Sequence, residues 1–277
     1  MATVPTVTLN NGVEIPQLGF GVFLVRPDET VGAVTSALKI GYRLIDTAQM
    51  YQNEKEVGIA IARSGLQRSE VFLTSKLGNN KLGFDAALFG IDETLAALGI
   101  EQIDLFLIHW PLATVRDFVG TWEALERIYV EGRARAIGVS NFDVGHLQRL
   151  LDEAEIVPAV NQIEAHPYLT QEALLAFDAE HGIATEAWSP LGRGAVLGDR
   201  QLVDLATTYA KTPAQVALRW HIQRGSIIFP KSIHPERMRE NFGIFDLELS
   251  TKDMRRISAL NRDKRIGPDP ETFSEIR

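Results

Sequence analysis

The feature that most restricts what this 277-residue chain can fold into is a series of eight short apolar runs, each followed by a stretch with helical periodicity. The runs occupy residues 18–22, 43–45, 71–74, 103–108, 136–139, 159–163, 183–187 and 226–229. They are too short and too continuously apolar for strands with one wet face, so they read as strands covered on both sides. Helical patterns at 28–40, 121–129, 144–151, 171–179 and 235–241 supply covering helices, with Gly41 as a stop signal and Asp143 and Pro235 as start signals.

Strands buried on both faces and separated by helices form parallel sheets, and eight such units predict closure into a (β/α)8 barrel, with an open doubly wound sheet as the alternative. Ahead of the first unit, residues 7–9 and 13–15 flank Asn10-Asn11-Gly12, a tight-turn signal, and predict an N-terminal hairpin closing the bottom of the barrel. The 12 prolines and 22 glycines are spread along the chain and no linker-like stretch occurs, so residues 1–277 are read as one domain.

Charge and composition narrow the function. A formal net charge of −8 argues against a nucleic-acid or anionic-membrane binder. No apolar run reaches the roughly 18 residues that span a bilayer, and the N-terminal segment lacks the pattern of a secretory signal, so a cytoplasmic protein is expected. With no cysteine, neither disulfides nor thiolate chemistry is available.

In a barrel of this kind the active site lies at the C-terminal ends of the strands. There the sequence places Asp46, Lys76, His109, Ser140-Asn141, Gln162 or Glu164, Trp188-Ser189 and Lys231-Ser232. Taken singly, each has an ordinary structural explanation, such as a helix cap or a satisfied core histidine. Together they set an acid, an amine, an imidazole and carboxamides around one mouth without clustered histidines, which suits an organic cofactor better than a metal. A metal-assisted barrel hydrolase using His109 and Asp46 is the reading this disfavours.

These segments resemble the aldo-keto reductase superfamily. Gly41-Tyr42-Arg43-Leu44-Ile45-Asp46-Thr47-Ala48 followed by Tyr51, Asn53 and Glu54 matches the first signature of that family, and Thr74-Ser75-Lys76-Leu77 and Ile108-His109-Trp110-Pro111 match its lysine and histidine segments. Gly138-Val139-Ser140-Asn141-Phe142, Val160-Asn161-Gln162-Ile163-Glu164, His166-Pro167, Ser189-Pro190-Leu191-Gly192 and Pro230-Lys231-Ser232 follow in the family's order. The short connection from Pro111 to Trp122 and the tail with Gly267-Pro268-Asp269-Pro270 look like the bacterial 2,5-diketo-D-gluconate reductase group.

The resemblance implies an NADPH-dependent reductase of small aldehydes, ketones or dicarbonyls, with Tyr51, Asp46, Lys76 and His109 as the catalytic set. It implies nicotinamide contacts from Ser140, Asn141, Gln162 and Trp188, and pyrophosphate contacts from Ser189, Leu191 and Gly192. Lys231, Ser232 and Arg237 would meet a 2′-phosphate, and Glu240 and Asn241 the adenosine.

No Gly-x-Gly-x-x-Gly turn follows a strand, so a Rossmann-type cofactor site is not expected. Phe23 and Trp110 match apolar pocket positions. Gly78 stands where many relatives have tryptophan, which predicts a wide substrate cleft approached by Lys81, unless Phe84 folds back to fill it. A monomer is expected. A slow, cofactor-sensing regulatory subunit on the same fold is the competing function.

Overall fold

The computed structural model describes residues 4–276. Strands β1 (Thr6–Thr8) and β2 (Glu14–Pro16) pair antiparallel through the turn at Gly12, whose φ of 84° suits glycine. Eight parallel strands follow: β3 (Phe20–Gly21), β4 (Leu44–Asp46), β5 (Phe72–Leu77), β6 (Ile103–Ile108), β7 (Ala134–Ser140), β8 (Val160–Glu164), β9 (Ala184–Trp188) and β10 (Ile227–Ile228). Each pairs with its sequence neighbour. A parallel bridge between Leu18 and Ile228 closes the sheet, with Gly19 N–H donating to Ile228 O at 2.7 Å and Ile228 N–H to Gln17 O at 3.0 Å.

All eight apolar runs therefore become strands, but the ends differ from the sequence reading. β5 runs on through Leu77 and β4, β7, β8 and β9 reach Asp46, Ser140, Glu164 and Trp188, so these polar residues belong to the strands rather than to the loops after them. Alternation along a strand decides which of them face the barrel interior.

Among the described residues ten α-helices surround the sheet: α1 (Pro27–Ile40), α2 (Glu54–Ala62), α3 (Phe84–Leu98), α4 (Phe118–Val130), α5 (Val144–Glu153), α6 (Glu172–Glu180), α7 (Arg200–Thr208), α8 (Pro213–Gln223), α9 (Pro235–Phe242) and α10 (Thr251–Ser258). Their starts are chemically marked. Pro27 with Asp28 and Glu29 opens α1, Asp143 accepts from the N–H of His146 to cap α5, and Thr212 and Gln215 form a reciprocal capping box on α8. Helix α4 begins at Phe118, three residues before the start read from periodicity, because Asp117 caps it by accepting from Val119 N–H.

Leu9 and Ile15 of the hairpin segment pack against Leu44, Phe72, Leu105, Leu107, Ala136, Ala159, Val160 and Ile227, an apolar cluster that seals one end of the barrel. A larger apolar layer joins the strands to the helices, with Trp122 and Phe106 fully buried in it.

Candidate active site

The open end is built from residues two to four positions beyond that apolar plug along the same strands. Lys76 on β5 is fully buried, and its ammonium donates to both oxygens of Asp46 on β4 (2.9 and 2.8 Å) and to the carbonyl of Thr47 (2.9 Å). The Tyr51 hydroxyl lies 3.4 Å from the same nitrogen. Burial works to lower the Lys76 pKa, but the negative neighbours, Asp46 foremost, outweigh it and hold the amine above its ordinary value. Lys76 is thus a charged ammonium. A buried charge with its partner removed costs about 3–5 kcal/mol, so the pair stands or falls together.

Tyr51 sits in a single 3-10 turn (Gln49–Tyr51) after β4, and Gln52 at φ 55° reverses the chain behind it. Two side chains fix this loop. Gln49 donates to Gly90 O (2.7 Å) and Thr94 Oγ1 (2.9 Å) on α3, while Asn53 accepts from Thr47 Oγ1 (2.9 Å) and donates to Val22 O and Val25 O (3.1 Å each). Asn53 thereby ties the Tyr51 loop to the segment carrying Phe23, whose ring centroid is 5.1 Å from that of Tyr51.

Burial raises the Tyr51 phenol above its usual range. Lys76 opposes that rise, yet Asp46 cancels part of the effect. A free ammonium beside a phenol would lower its pKa. In the structure the ammonium is already neutralised by a two-oxygen contact, and Tyr51 keeps its proton.

His109, just beyond β6, stands edge-on to Tyr51 with ring centroids 5.7 Å apart. Burial, helped by the charge of Lys76, holds its pKa well below that of free histidine, so the imidazole is neutral. Its Nδ1 has no hydrogen-bond partner among the described residues. The four residues singled out from the sequence are brought into one cluster.

The carboxamide and indole candidates form a second group on the adjoining strands. Asn141, at φ 62°, donates to His109 O (2.9 Å) and to Ser140 Oγ (3.1 Å), and its Oδ1 accepts from Trp188 Nε1 (2.8 Å). Gln162 donates from one amide nitrogen to Asp46 Oδ2 (2.9 Å) and to Glu186 Oε2 (2.7 Å). Both N–H bonds of that amide are thereby used, leaving its carbonyl oxygen as the hydrogen-bonding end for another group.

Glu186 was not singled out from the sequence. It is fully buried on β9 and burial pushes it up to about 8, so it is neutral at pH 7. An acidic residue within an apolar run is the signal that could have found it.

After β9, Ser189 and Arg193 adopt positive φ (49° and 51°) around Gly192, and the Arg193 guanidinium lies 5.8 Å from the Phe23 ring centroid. Ser189, Leu191 and Gly192 thus follow Trp188 at the rim. On the neighbouring unit Lys231 and Arg237 are exposed and make no ion pair among the described residues. Helix α9 has no side-chain cap at His234, and Ser232 Oγ accepts from the N–H of His234 at 3.1 Å. Glu240 and Asn241 lie on α9; the carboxylate of Glu240 accepts from Thr212 Oγ1 at 2.6 Å and Asn241 is buried.

The pocket candidates divide. Phe23 adjoins Tyr51, and Trp110 packs at a tilt against Phe273 from the C-terminal segment with centroids 4.3 Å apart. Gly78 instead donates its N–H to Gln49 Oε1 (2.7 Å) and lines a cleft of about 300 Å³ with Gln49, Met50, Gln52, Glu54 and Lys81, whose walls include neither Tyr51 nor His109. Lys81 does not reach toward the mouth as expected. It pairs with Glu93 at 3.0 Å and lies over the Phe89 ring. Phe84, at the first turn of α3, is more than one-third exposed and fills no gap there.

A closed parallel barrel with a buried lysine-carboxylate pair, a protonated tyrosine and a neutral histidine at its C-terminal mouth defines a barrel oxidoreductase. The Aldo/keto reductase family model matches residues 18–262, and the chain belongs to that family.

Among its relatives are an aldo-keto reductase of Mycolicibacterium smegmatis, 51% identical over 98% of each chain, and the glyoxal reductase of Bacillus subtilis, 49% identical over 96% of each. A solved structure of a Gox0644 variant in complex with NADPH superposes with a TM-score of 0.94 at 42% identity, covering 98% of this chain and 99% of the other. Carbonyl reduction is the chemistry of the family.

Proposed function

We propose that the protein reduces small aldehydes, ketones and dicarbonyls to alcohols, with NADPH as the reductant and Tyr51 as the proton donor. The observation that carries this reading is the Asp46–Lys76–Tyr51–His109 cluster. NADPH, when bound, supplies hydride to the carbonyl carbon, and the charge that develops on the carbonyl oxygen must be met by the protein. Tyr51 donates its proton to that oxygen. The phenolate left behind lies 3.4 Å from the Lys76 ammonium, which stabilises it, while Asp46 and Thr47 fix the amine in place. His109, neutral, offers an N–H to the same oxygen.

The donor set at the rim suits a dinucleotide phosphate. Ser140, Asn141 and the free carbonyl end of Gln162 match a carboxamide, and Trp188 offers an aromatic face to the nicotinamide ring. Ser189, Leu191 and Gly192 would meet the pyrophosphate. Lys231, Arg237 and Ser232, beside a helix start without a side-chain cap, suit a 2′-phosphate, and Glu240 and Asn241 the adenosine. Phe23 and Trp110 would flank the substrate.

That a relative is named glyoxal reductase, and that a structural neighbour holds NADPH, support the dicarbonyl and cofactor assignments. Initial rates of NADPH and NADH oxidation with methylglyoxal, a simple aldehyde and a ketone test the reading. Turnover is expected with the dicarbonyl, faster with NADPH. Tight NADPH binding without turnover on any carbonyl would instead indicate the cofactor-sensing role.

A further inference from the structure

Glu164, His166 and the Gly267-Pro268-Asp269-Pro270 stretch take no part in the chemistry above, yet the fold brings them together beside Trp188. The Glu164 carboxylate, buried on β8, accepts from Ile266 N–H at 2.6 Å and Gly267 N–H at 2.9 Å, and His166 Nε2 lies 3.0 Å from its Oε1. Burial works to raise the pKa of this carboxyl, but the hydrogen bonds from His166 and from the two backbone N–H groups outweigh it and leave it below its usual value. An ionised carboxylate therefore holds the chain at residues 266–267 in one place.

At that place a Cβ on Gly267 would lie 2.4 Å from Cη2 and 3.3 Å from Cζ2 of Trp188. The φ of Gly267 is outside the left-handed region, so glycine is required for room and not for its torsional freedom. The pyrrole nitrogen of the same indole is tied to Asn141, its Nε1 donating to Oδ1 at 2.8 Å. Trp188 is thus held between a side-chain amide and a bare stretch of backbone. The same segment continues to Phe273 on Trp110, and Asn79 Nδ2 donates to Glu275 O at 2.9 Å.

We propose that Gly267, fixed by Glu164, is a positioning residue for the cofactor: its backbone sets the tilt of the Trp188 ring and so makes NADPH affinity depend on how the C-terminal segment is seated. The inference rests on the reading that Trp188 meets the nicotinamide. A methyl group at Gly267 must push the indole aside, because its partner on that side is backbone held by a buried carboxylate. Phenylalanine at 188 lacks the ring atoms Cη2 and Cζ2 that the methyl would meet.

The test is a double-mutant cycle on NADPH dissociation constants by calorimetry, with Gly267→Ala and Trp188→Phe made singly and together. Gly267→Ala alone is expected to weaken NADPH about tenfold, the order for overpacking a well-fitted contact, with a much smaller change in kcat at saturating cofactor. In the Trp188→Phe background the same change should cost clearly less, about two- to threefold, since both ring contacts are gone and only the 3.1 Å approach to Glu164 Oε2 remains. Equal losses in both backgrounds, or a fall in Tm with unchanged NADPH affinity, would overturn the proposal.

Glu164→Gln keeps the shape but removes the charge, and should weaken NADPH by a few-fold; an effect on Tm alone would limit Glu164 to a structural role. Trp188→Ala separates the two levels. If it leaves NADPH affinity unchanged, the stacking assignment itself is wrong and this proposal falls with it.

Discussion

The two ends of the barrel interior are lined by the same strands and the same alternation, yet they do opposite things. On β4 the inward position changes from Leu44 at the plugged end to Asp46 at the mouth; on β5 from Phe72 to Lys76; along β6 and just past it from Leu105 and Leu107 to His109; on β8 from Val160 to Gln162. The lower layer is buried, apolar and capped by the hairpin, and stabilises the fold by roughly 25 cal/mol per Å² of apolar surface removed from water. The upper layer buries an ammonium, carboxyl groups and an imidazole, each of which costs free energy unless paired. Two to four residues along a strand, one or two steps of the alternation, separate the part that holds the barrel closed from the part that does chemistry.

If that division is real, changes in the two layers should move different observables. Tyr51→Phe has the largest expected effect: kcat for carbonyl reduction should fall by about 10²–10⁴ while NADPH affinity and the denaturant midpoint hold, because Lys76 keeps its bonds to Asp46 and Thr47. Steady-state kinetics beside a urea titration check this, and a variant that loses stability along with rate would blur the two layers.

Leu107→Ala is the converse. A loss of about 2–5 kcal/mol in unfolding free energy is expected with kinetic constants nearly unchanged, and a comparable collapse of kcat would show that the lower layer positions the tetrad.

The rim should behave as neither layer. Arg237→Ala or Lys231→Ala should weaken NADPH about tenfold and NADH hardly at all, at no cost in stability, since both side chains are exposed. Equal losses for both cofactors would place these residues on the shared part of the dinucleotide.

The smallest effect concerns Glu186, an upper-layer acid that faces Gln162 on β8 and, across the interior, Asp46 and Lys76. Its pKa is raised on folding to about 8, so the folded state holds a proton that the unfolded chain has released, and stability is lost as pH rises from about 4.5 to about 8, then levels off. Glu186→Gln removes this dependence. Its Tm advantage over the wild type should therefore grow across that window, and a constant difference would mean that Glu186 does not titrate there.

Much of this layout could be read from the chain because it is local. A strand buried on both sides announces itself as an apolar run, and the residue types at the mouth stand out against it, which is why Asp46, Lys76 and His109 could be picked out and why Tyr51 followed from the matched signature. What escaped depends on contacts between distant segments. Nothing near Lys81 says that it turns to Glu93 rather than to a substrate, and nothing near Glu164 says that its carboxylate receives the backbone of residues 266 and 267. Strand ends were misplaced for a related reason: Asp46 and Lys76 are polar residues inside strands, tolerated there because they satisfy one another across neighbouring strands.

The closing seam of the barrel has a consequence for how it breathes. β3 and β10 contribute two residues each, and their junction depends on the Leu18–Ile228 bridge and the two backbone hydrogen bonds from Gly19 and Ile228. The segments assigned to the cofactor and to the substrate rim leave from the strands on either side of it: Phe23 after β3, Ser189 to Gly192 after β9, Lys231 and Ser232 after β10. A dinucleotide laid across those segments would staple the shortest strands of the cylinder. The amide protons of Gly19 and Ile228 should then exchange with deuterium fastest among the barrel strands in the free protein, and slow most when NADPH is added.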